Sequence, residues 1–571
     1  MGSFPLSKRR TMEKNWILPE EKPKNDTIKD ILAARGIHTP NEIAEFLSDK
    51  PRLTHDPFLM KGLREAAIRI CKAAADGIHI VVYGDYDADG ICSVSLLMEI
   101  LGKLTDRVSY YIPSRFDEGY GLNKEALKTI KESGGELVIT VDCGSVSYEE
   151  GMFAEEIGLE MIVTDHHNLN DQPVNCLLVN PKQAGCSYPE RELSGCGVAF
   201  KVAQGLARLL EEQGEETIGK GDLNRALDLV AIATIGDIVP LTGENRTLVK
   251  YGLKTLNADR RPGLGALIRG IGLKPGLVTS DNVAYGIVPH LNAAGRMMDA
   301  ETGVTLLLSQ EEAERDQAVD ALILANRERR KTQEEILQAT LQTAEEEDRE
   351  QWILVLDAGD AHEGITGIVA GKIKETYHKP TVIVTDSGDG LLKGTGRGIE
   401  GLDLYALLSK VQDLFLKFGG HPGACGFLMD RSDLPELRRR LNAAAKELYQ
   451  NDTSVFRPKL HIDAVMRPQD IDRELIEALE KLEPFGHRNP KPIFCMREVV
   501  PERPVFLGEE GRHARFRAGM VDAILFQTAS TFRDHLTAGR PLDLAGYLEF
   551  NRWNGKEKIQ FVTTDLRWYN E

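Results

Sequence analysis

No apolar run in this sequence approaches the roughly 20 residues that a transmembrane helix needs. Basic side chains occur among the first ten residues, but no apolar core follows them, so the pattern of a signal peptide is missing. Hydrophobic residues make up 42% of the chain and charged residues 28%, which is typical of a globular protein. We therefore expect a cytoplasmic protein that makes no contact with a membrane.

Paired cysteines are also missing. The chain has eight cysteines in 571 residues and no Cys-x-x-Cys pair, so a disulfide framework is not expected. Cys176, Cys186 and Cys196 are evenly spaced, but no histidine stands beside them at the spacing of zinc ligands. We interpret them as buried or incidental thiols.

The chain also lacks an excess of positive charge. The net charge of −18 argues against a surface covered with basic side chains for non-specific DNA binding. A polyanion would have to bind in a local cleft, where metal ions supply part of the positive charge.

The length of the chain predicts three or four domains, because one hydrophobic core cannot organise so many residues. From Gly77 onward, short apolar runs alternate with helical stretches. This rhythm predicts an α/β fold with a parallel, doubly wound sheet that helices cover on both faces. The runs expected as strands are 78–83, 108–112, 136–141, 159–164 and 176–179.

Acidic and imidazole side chains follow several of these runs. Asp85, Asp87 and Asp89 come after the first run, Asp142 after the third, and Asp165-His166-His167 after the fourth. Ligands of open α/β sheets bind beyond the carboxyl ends of the strands, so we expect these groups in one crevice. Close carboxylates repel one another unless a cation neutralises them, and Mg²⁺ and Mn²⁺ prefer oxygen ligands. The alternative for the three aspartates is a solvated acidic turn.

Asp237 lies in a strongly apolar helical segment, 222–257. A buried acid needs a partner or a metal ion, whereas an acid at a helix end can lie beside a capping group. The residues alone favour neither interpretation. Further along, a long polar helix is predicted over about 310–349, of the kind that bridges two domains.

A second α/β block is predicted over about 352–448. Its two glycine-rich stretches, 393–398 and 418–423, lack the Gly-Lys-Ser/Thr ending of a Walker A loop. Glycine would let the backbone approach a ligand closely, and Arg397 or His421 beside it could hold a phosphate. Ordinary loops are the alternative.

The C-terminal block, about 455–571, contains short runs of strand character separated by turn signals. Five short strands predict a small β-barrel, for which an oligonucleotide-binding (OB) fold is one candidate. Phe516 and Trp553 would offer stacking faces to nucleic acid beside several arginines. In the alternative, Phe516 points into the core and the arginines are solvated. The expected strands are 499–507, 513–517, 523–527, 542–550 and 559–563.

Taken in order, these motifs resemble the DHH phosphoesterase superfamily. The similarity rests on the acidic and histidine motifs described above, and Phe418-Gly419-Gly420-His421 resembles the signature of the associated DHHA1 domain. More specific stretches resemble the bacterial RecJ branch of single-strand-specific 5′→3′ DNA exonucleases. These stretches are Ile112-Pro-Ser-Arg115 with Glu118-Gly-Tyr-Gly121, Leu291-Asn292-Ala-Ala-Gly-Arg296, Pro484-Phe-Gly-His-Arg-Asn-Pro490 and Asn551-Arg-Trp553-Asn-Gly.

The chain departs from the family pattern at several points. Gly394-Thr395-Gly396-Arg397-Gly398 replaces the more usual Gly-Ser-Ala-Arg-Ser, Gly236 stands where alanine is common, and the residues after Gly144 are atypical. None of these departures removes an expected metal ligand. They therefore bear on substrate detail rather than on activity.

The resemblance implies a parallel-sheet DHH domain joined by a long helix to a smaller α/β DHHA1 domain, with a C-terminal OB-fold and a cleft between the first two modules. An N-terminal helical segment precedes them. The expected boundaries are 1–50 for that segment, 51–300 for DHH, 301–350 for the connecting helix, 351–450 for DHHA1 and 455–571 for the OB-fold.

The resemblance also implies a function. The enzyme would use two Mn²⁺ or Mg²⁺ ions to hydrolyse single-stranded DNA from its 5′ end to 5′-mononucleotides, in DNA repair and recombination. Single-stranded-DNA-binding protein and a helicase are the partners that the family suggests. The implied metal ligands are Asp85, Asp87, Asp89, Asp142, His166 and Asp237.

Other residues receive roles by the same resemblance. Asp165 would support the metal ligands, and His167 would face the scissile phosphate or a metal. Arg296 and His421 would act beside the scissile bond. The remaining expected substrate contacts are Arg115, Thr395 and Arg397 at the terminal 5′-phosphate, and Asn292, Phe516 and Trp553 elsewhere on the strand.

Two other kinds of function fit part of the sequence. An oligoribonuclease, a cyclic-dinucleotide phosphodiesterase or a pyrophosphatase of the same superfamily would share the metal motifs, but these enzymes usually lack the C-terminal barrel. A binding scaffold without catalysis is the alternative outside enzymes. Intact acids at every motif argue against a scaffold, because an inactive site has no reason to keep carboxylates that repel one another.

Overall fold

The computed structural model describes residues 14–19, 27–114, 118, 121–348, 351–450, 452–553 and 555–569. Within this range the chain forms two compact units. The first unit comprises the described residues of Leu32–Arg327 and Ala478–Lys491, and the second comprises those of Met1–Ile31, Glu328–Glu477 and Pro492–Glu571.

The strands of the described residues are, in chain order, β1 (Asn15–Ile17), β2 (Ile80–Tyr83), β3 (Val108–Tyr111), β4 (Leu137–Val141), β5 (Glu160–Thr164), β6 (Leu177–Val179), β7 (Leu354–Asp357), β8 (Thr381–Asp386), β9 (Leu391–Arg397), β10 (Phe415–His421), β11 (Ala424–Asp430), β12 (Lys459–His461), β13 (Ala464–Met466), β14 (Phe494–Val499), β15 (Pro501–Leu507), β16 (His513–Ala518), β17 (Val521–Leu525), β18 (Leu542–Trp553) and β19 (Lys556–Trp568).

The α-helices of the same residues are α1 (Thr27–Ala34), α2 (Pro40–Leu47), α3 (Leu63–Ala75), α4 (Ala88–Leu101), α5 (Lys124–Glu132), α6 (Tyr148–Glu156), α7 (Gly195–Glu212), α8 (Lys220–Gly236), α9 (Gly243–Asn257), α10 (Pro262–Gly270), α11 (Ser280–Asn282), α12 (Val288–Met297), α13 (Glu301–Leu308), α14 (Glu312–Asp348), α15 (Glu363–Tyr377), α16 (Leu404–Ser409), α17 (Leu434–Tyr449), α18 (Arg473–Glu480) and α19 (Arg533–Thr537).

The first unit is built on a five-stranded sheet in the order β3-β2-β4-β5-β6, in which every neighbouring pair is parallel. Both faces of β2 are buried: Ile80 and Val82 join one apolar cluster, and Val81 and Tyr83 join another. Strands covered on both faces need continuous apolar runs, which is the pattern that the sequence shows. The predicted parallel, helix-covered sheet is confirmed.

The helices of the first unit fall on the two faces of that sheet. Helices α3, α4, α7 and α8 contribute to the larger cluster. Helices α5 and α6 contribute to the smaller one on the other face. The carboxyl ends of β2, β4, β5 and β6 therefore lie along one edge of a sheet that packing holds rigidly on both sides.

The second unit contains an α/β sheet in the order β10-β11-β9-β8-β7, in which only β7 and β8 pair in parallel. The two glycine-rich stretches, for which ordinary loops were one alternative, lie largely in strands: residues 393–397 belong to β9 and residues 418–421 to β10. A Cβ atom added at Gly394 would lie 2.1 Å from the Phe427 ring, so glycine here makes room for an aromatic side chain on the next strand.

The C-terminal sheet has seven strands rather than the five expected, in the order β13-β14-β18-β19-β17-β16-β15. The five expected runs correspond to β15 to β19, and β13 and β14 extend the sheet beside β18. The two extra strands escaped prediction because β13 has three residues and β14 follows a turn-rich stretch.

The N-terminal segment, expected to be helical over residues 1–50, contains helices α1 and α2 and, in addition, the unexpected strand β1. Strand β1 pairs in parallel with β12, so Trp16 lies opposite Leu460. The Trp16 indole donates a hydrogen bond to Asp565 Oδ2 (2.9 Å), and the Arg567 guanidinium lies 4.5 Å above the indole ring. This strand belongs to the same unit as the C-terminal sheet.

Helix α14 agrees with the long polar helix expected over about 310–349. In the part of the chain that the structure describes, none of the helices combines the length and apolar character needed to cross a membrane.

Candidate metal centre and substrate-contact residues

The acidic and histidine motifs converge at the carboxyl edge of the parallel sheet. Ligand atoms within 4.8 Å of one another form three overlapping groups. The groups are Asp85-Asp87-Asp142, Asp89-His166-Asp237 and Asp142-Asp165-His166-His167. Every metal ligand that the family resemblance implies therefore belongs to one cluster.

The turn between β2 and α4 places the three aspartates of the first motif. Asp87 is the N-cap residue of α4, and its Oδ1 accepts hydrogen bonds from the backbone N–H groups of Asp89 (2.9 Å) and Gly90 (3.1 Å). A Cβ at Gly90 would lie 2.3 Å from the Asp85 carbonyl oxygen, so the turn can close only around glycine. This steric limit explains why the aspartate motif ends in glycine at position 90.

Asp89 is held by the start of α7. Its two carboxylate oxygens accept hydrogen bonds from the N–H groups of Gly195 (2.8 Å) and Cys196 (2.7 Å). A Cβ at Gly195 would lie 2.5 Å from Asp142 Oδ1, so glycine lets the helix approach both aspartates. The N-terminal end of a helix stabilises negative charge. Helix α7 was not predicted, although Ser194 caps it and its apolar residues recur at helical spacing.

Asp142 and His166 face each other from neighbouring strand ends. Asp142 has a left-handed backbone (φ 61°), which aspartate tolerates better than most residues. His166 Nε2 lies 3.1 Å from Asp142 Oδ1 and 3.6 Å from Asp237 Oδ2. Asp237 reaches the cluster as the C-cap residue of α8. It is thus both a helix-end residue and a member of the cluster.

Asp165 fixes the histidine motif. Its Oδ1 accepts hydrogen bonds from the His166 N–H (2.7 Å), the His167 N–H (3.1 Å) and His167 Nδ1 (2.8 Å). Its Oδ2 accepts from the Ser145 N–H (2.9 Å). With Nδ1 engaged, His167 directs Nε2 away from Asp165, and its side chain is 42% exposed. Asp165 is therefore an orienting residue rather than an open ligand.

Burial and mutual repulsion raise the pKa values of the clustered acids. For Asp89 and Asp142, burial is the larger cause and the charges of neighbouring aspartates add to it, so each pKa lies well above its usual value. For Asp237, burial and the charge of Asp87 raise the pKa to about 7. A cation would relieve the repulsion that these shifts record.

The two histidines differ in charge at neutral pH. Burial, followed by the charge of His167, lowers the pKa of His166 to about 3, so its ring is neutral and able to bind a metal ion. Burial also acts to lower the pKa of His167, but the hydrogen bond and charge of Asp165 outweigh it and raise that pKa to about 9. In the cluster without a metal ion, His167 is therefore a cation at neutral pH.

The cluster fits a hard divalent cation. Carboxylate oxygens and a neutral imidazole suit Mn²⁺ and also Mg²⁺. His166 Nε2 is buried between Asp142 and Asp237 without a hydrogen bond of ordinary geometry, which is expected of a nitrogen whose partner is a metal ion. The residues that would hold the ions are Asp85, Asp87, Asp89, Asp142, His166 and Asp237.

Helix α12 lies against the aspartate turn. Asn292 Oδ1 accepts a hydrogen bond from the Ala88 N–H (2.7 Å), and a Cβ at Gly295 would lie 2.3 Å from the Tyr86 carbonyl oxygen. Asn292 thus caps α4, a role that the sequence did not predict. Arg296 lies one turn further along the same helix. The DNA contacts expected of Asn292 and Arg296 stay predictions.

Three expected substrate contacts lie in the α/β part of the second unit. Thr395 and Arg397 are on β9, and Arg397 pairs with Ala424 of β11. A Cβ at Gly367 would lie 2.8 Å from Arg397 Nη2, so the Arg397 guanidinium packs against the first turns of α15. His421 ends β10 and is exposed. These residues stay predicted phosphate and DNA contacts.

The stacking role expected of Phe516 is wrong. Phe516 is 2% exposed, because β16 alternates and turns Ala514, Phe516 and Ala518 inward. Arg515 and Arg517 point outward from the same strand. Trp553 pairs with Lys556 at the end of β18. Arg115 and the Trp553 side chain lie outside the described residues.

The parallel sheet and the acidic cluster at its edge define a class of protein, the DHH phosphoesterases. The chain matches the DHH family, N-terminal domain, over residues 79–234, and the DHHA1 domain over residues 350–447. A third match, to the RecJ OB domain over residues 462–565, narrows the class further.

Comparison with individual proteins identifies the family. The single-stranded-DNA-specific exonuclease RecJ of Bacillus subtilis is 35% identical over 98% of this chain and 70% of its own length. RecJ of Salmonella typhimurium is 31% identical over 98% of both chains. The crystal structure of RecJ from Thermus thermophilus in complex with Mn²⁺ matches with a TM-score of 0.81 at 30% identity, over 98% of this chain and 80% of that chain. The chain belongs to the RecJ family of single-stranded-DNA-specific exonucleases.

Proposed function

We propose that this protein is an exonuclease that hydrolyses single-stranded DNA from the 5′ end to 5′-mononucleotides, with Mn²⁺ or Mg²⁺ as cofactor. The observation that carries the proposal is the convergence of three strand ends and one helix end on a single cluster of carboxylates and imidazole. RecJ family membership supports single-stranded DNA as the substrate. The Mn²⁺ and Mg²⁺ complexes of the Thermus thermophilus relative support these ions.

The chemistry requires positive charge at the phosphate. A phosphodiester resists hydrolysis because its negative charge repels the nucleophile and because the alkoxide is a poor leaving group. Divalent ions in the cluster would activate water, neutralise the phosphate and stabilise the leaving oxygen. The rest of the site positions the strand for that reaction.

His167 is the protein group best suited to touch the scissile phosphate. Asp165 binds its Nδ1 and keeps the ring protonated, so Nε2 is a charged donor on the exposed side of the cluster. We infer that Nε2–H donates to a non-bridging phosphate oxygen. Asp165 acts through His167, because it is buried and already accepts four hydrogen bonds.

Recognition of the 5′ end is assigned to arginine. Arg397 offers a guanidinium fork, which binds a terminal phosphate more specifically than a lysine would. Thr395 adds a hydroxyl two residues earlier on β9. By family resemblance, Arg115 would complete this site, and Arg296 and His421 would contact DNA near the scissile bond.

Two labelled substrates test the polarity. A single strand of about 30 nucleotides carries a label at either the 5′ or the 3′ end and is digested with Mn²⁺. Early release of a labelled mononucleotide from the 5′-labelled strand alone is expected. Early release from the 3′-labelled strand would overturn the polarity, and digestion of a dinucleotide but not of the long strand would favour an oligoribonuclease-type enzyme.

Variants separate the metal site from end recognition. Asp142→Ala should abolish hydrolysis but retain folding and DNA binding, because it removes charge only at the ions. Arg397→Ala should reduce the preference for 5′-phosphorylated over 5′-hydroxyl strands. Arg431→Ala is the matched control, because Arg431 is paired with Asp357 and Asp386 in the same unit. Equal loss on both substrates would refute the role of Arg397.

The wider setting follows from the same proposal. We place the activity in the cytoplasm and in DNA repair and recombination, and we assign the domains the boundaries given from the sequence. Single-stranded-DNA-binding protein and a helicase are the proposed partners, by family resemblance. Stimulation of digestion on strands coated with the binding protein would support the first of these, and inhibition would contradict it.

A further inference from the structure

A fully buried asparagine connects the strand ends that carry the site. Asn180 directly follows β6 and is 0% exposed. Its amide nitrogen donates to Ser145 Oγ (2.8 Å) and to the His167 carbonyl oxygen (2.9 Å), and its Oδ1 accepts from the Lys182 N–H (2.8 Å). Both amide protons and the amide oxygen are thus used.

These hydrogen bonds lead to the histidine motif by two routes. One is direct, from the Asn180 amide to the His167 backbone. The other passes through Ser145, whose hydroxyl accepts from Asn180 and whose N–H donates to Asp165. Asp165 in turn binds His167 Nδ1. The ends of β4, β5 and β6 are therefore joined through one side chain that touches neither an expected ligand atom nor solvent.

We propose that Asn180 is a positioning residue of the metal centre, and that the Ser145 hydroxyl is its second anchor. The pair holds the loop of Asp165, His166 and His167 at a fixed distance from Asp142. The inference rests on the proposed function.

An ordinary structural asparagine would show the same burial, so the test needs a matched residue. Gln183 lies three residues further along and is 9% exposed. Its side-chain amide donates to the carbonyl oxygens of Leu178 (2.8 Å) and Lys61 (3.2 Å). It is a buried amide of the same segment that makes no hydrogen bond to the loops of the metal centre. Gln183→Ala is therefore the control.

The experiment compares Asn180→Ala, Ser145→Ala and Gln183→Ala in the full chain. Three quantities are measured: the melting temperature, the Mn²⁺ affinity from an electron paramagnetic resonance titration, and kcat and KM on 5′-phosphorylated single strands. Asn180→Ala should lower kcat by about 10- to 100-fold and weaken Mn²⁺ binding about 10-fold, which is the usual effect of removing a group that orients ligands. KM should change less than about 3-fold, because no DNA contact is lost.

The control and the second variant make the outcome decisive. Gln183→Ala should lower the melting temperature but leave kcat and Mn²⁺ affinity within about 2-fold of the wild type. Ser145→Ala should weaken Mn²⁺ binding by a smaller factor than Asn180→Ala, because the bond to the His167 carbonyl remains. If Asn180→Ala does not fold, Ser145→Ala decides the question: unchanged Mn²⁺ affinity and kcat would overturn the proposal.

Failure of this inference is distinct from failure of the proposed function. A wild-type protein that binds Mn²⁺ but does not degrade single strands would refute the exonuclease assignment. The Mn²⁺ affinities of Asn180→Ala and Gln183→Ala would still test the positioning role. Equal affinities in these two variants would overturn it whatever the wild-type activity.

Discussion

Replacing Asp237 by asparagine should raise the free energy of unfolding of the metal-free protein and lower that of the metal-bound protein. In the folded protein the pKa of Asp237 is raised from 3.8 to about 7 by burial and by the charge of Asp87. A carboxyl group with a raised pKa contributes stability that is fully present below pH 3.8 and is lost as the pH rises through 7. Asparagine has the same shape and no charge, so the variant escapes this loss.

The size of the effect follows from the pKa. A rise from 3.8 to about 7 corresponds to about 4 kcal/mol, since each pKa unit is worth about 1.4 kcal/mol. The side chain is 29% exposed and its charge is partly screened, so we expect about 1–3 kcal/mol at pH 8. At pH 5 the advantage of the variant should be smaller by about half, because Asp237 is then still protonated in the folded state.

Urea unfolding at pH 5 and pH 8, with EDTA or with Mn²⁺, measures this prediction. In EDTA at pH 8, Asp237→Asn should have the larger free energy of unfolding. Mn²⁺ at 1,000 times its Kd would stabilise the wild type by about 4.1 kcal/mol, which exceeds the advantage of the variant, and the order should then reverse because the variant lacks one ligand. Comparing variant with wild type at each pH removes the contributions of groups that do not interact with Asp237. The charge of Asp237 raises the pKa of His167, so a lower His167 pKa is part of the expected effect of the variant.

Asp259→Asn supplies the control, because Asp259 is an exposed acid of the same unit paired with Arg269 at 3.1 Å. It should destabilise the protein by less than about 1 kcal/mol, with or without Mn²⁺. The reasoning would be refuted if Asp237→Asn in EDTA at pH 8 were no more stable than the wild type.

Three further predictions concern a close helix contact, a strained backbone and the N-terminal strand. Gly195→Ala should weaken Mn²⁺ binding at least about 10-fold in a calorimetric titration, because the new methyl group would lie 2.5 Å from Asp142 Oδ1. Ile238→Gly should raise the free energy of unfolding by about 1 kcal/mol in urea, because Ile238 has a φ of 59° that disfavours a β-branched residue and is 69% exposed. Trp16→Ala should destabilise the second unit by about 3 kcal/mol and speed hydrogen exchange in β12 and β19.

Each of these has a result that contradicts it. Unchanged Mn²⁺ affinity in Gly195→Ala would show that α7 can shift without disturbing the aspartates. A less stable Ile238→Gly would mean that its side chain makes contacts worth more than the backbone strain. Normal exchange of β12 in Trp16→Ala would mean that the N-terminal strand contributes little to that sheet.

The local patterns of the sequence were sufficient for the parallel sheet and for the cluster members that follow its strands, whereas Asp237 was assigned only by the family resemblance. Strands buried on both faces require continuous apolar runs, and parallel strands bring their carboxyl ends to one edge. Asp85, Asp142 and His166 could therefore be placed together without knowledge of the structure.

Contacts between distant segments could not be predicted in this way. The Gly195 N–H donates a hydrogen bond to Asp89, 106 residues away in the sequence, and Asn292 accepts one from the Ala88 N–H, 204 residues away. No periodicity or spacing records such pairs, because they depend on how the helices pack. The burial of Phe516 could not be predicted for a different reason. Strand alternation indicates that one face of a strand is buried and the other exposed, but it does not say which face contacts the core.

The pairing of β1 with β12 has a consequence for how the protein is made. Trp16 and its hydrogen-bond partner Asp565 are 549 residues apart. A ribosome that adds about 5–20 residues per second needs roughly half a minute to two minutes to bridge that distance. For that time the Trp16 indole is outside the ribosome without its hydrogen-bond partner. We expect it to be a binding site for chaperones during synthesis, and a ribosome that stops early would release a chain whose first strand has no place to pair.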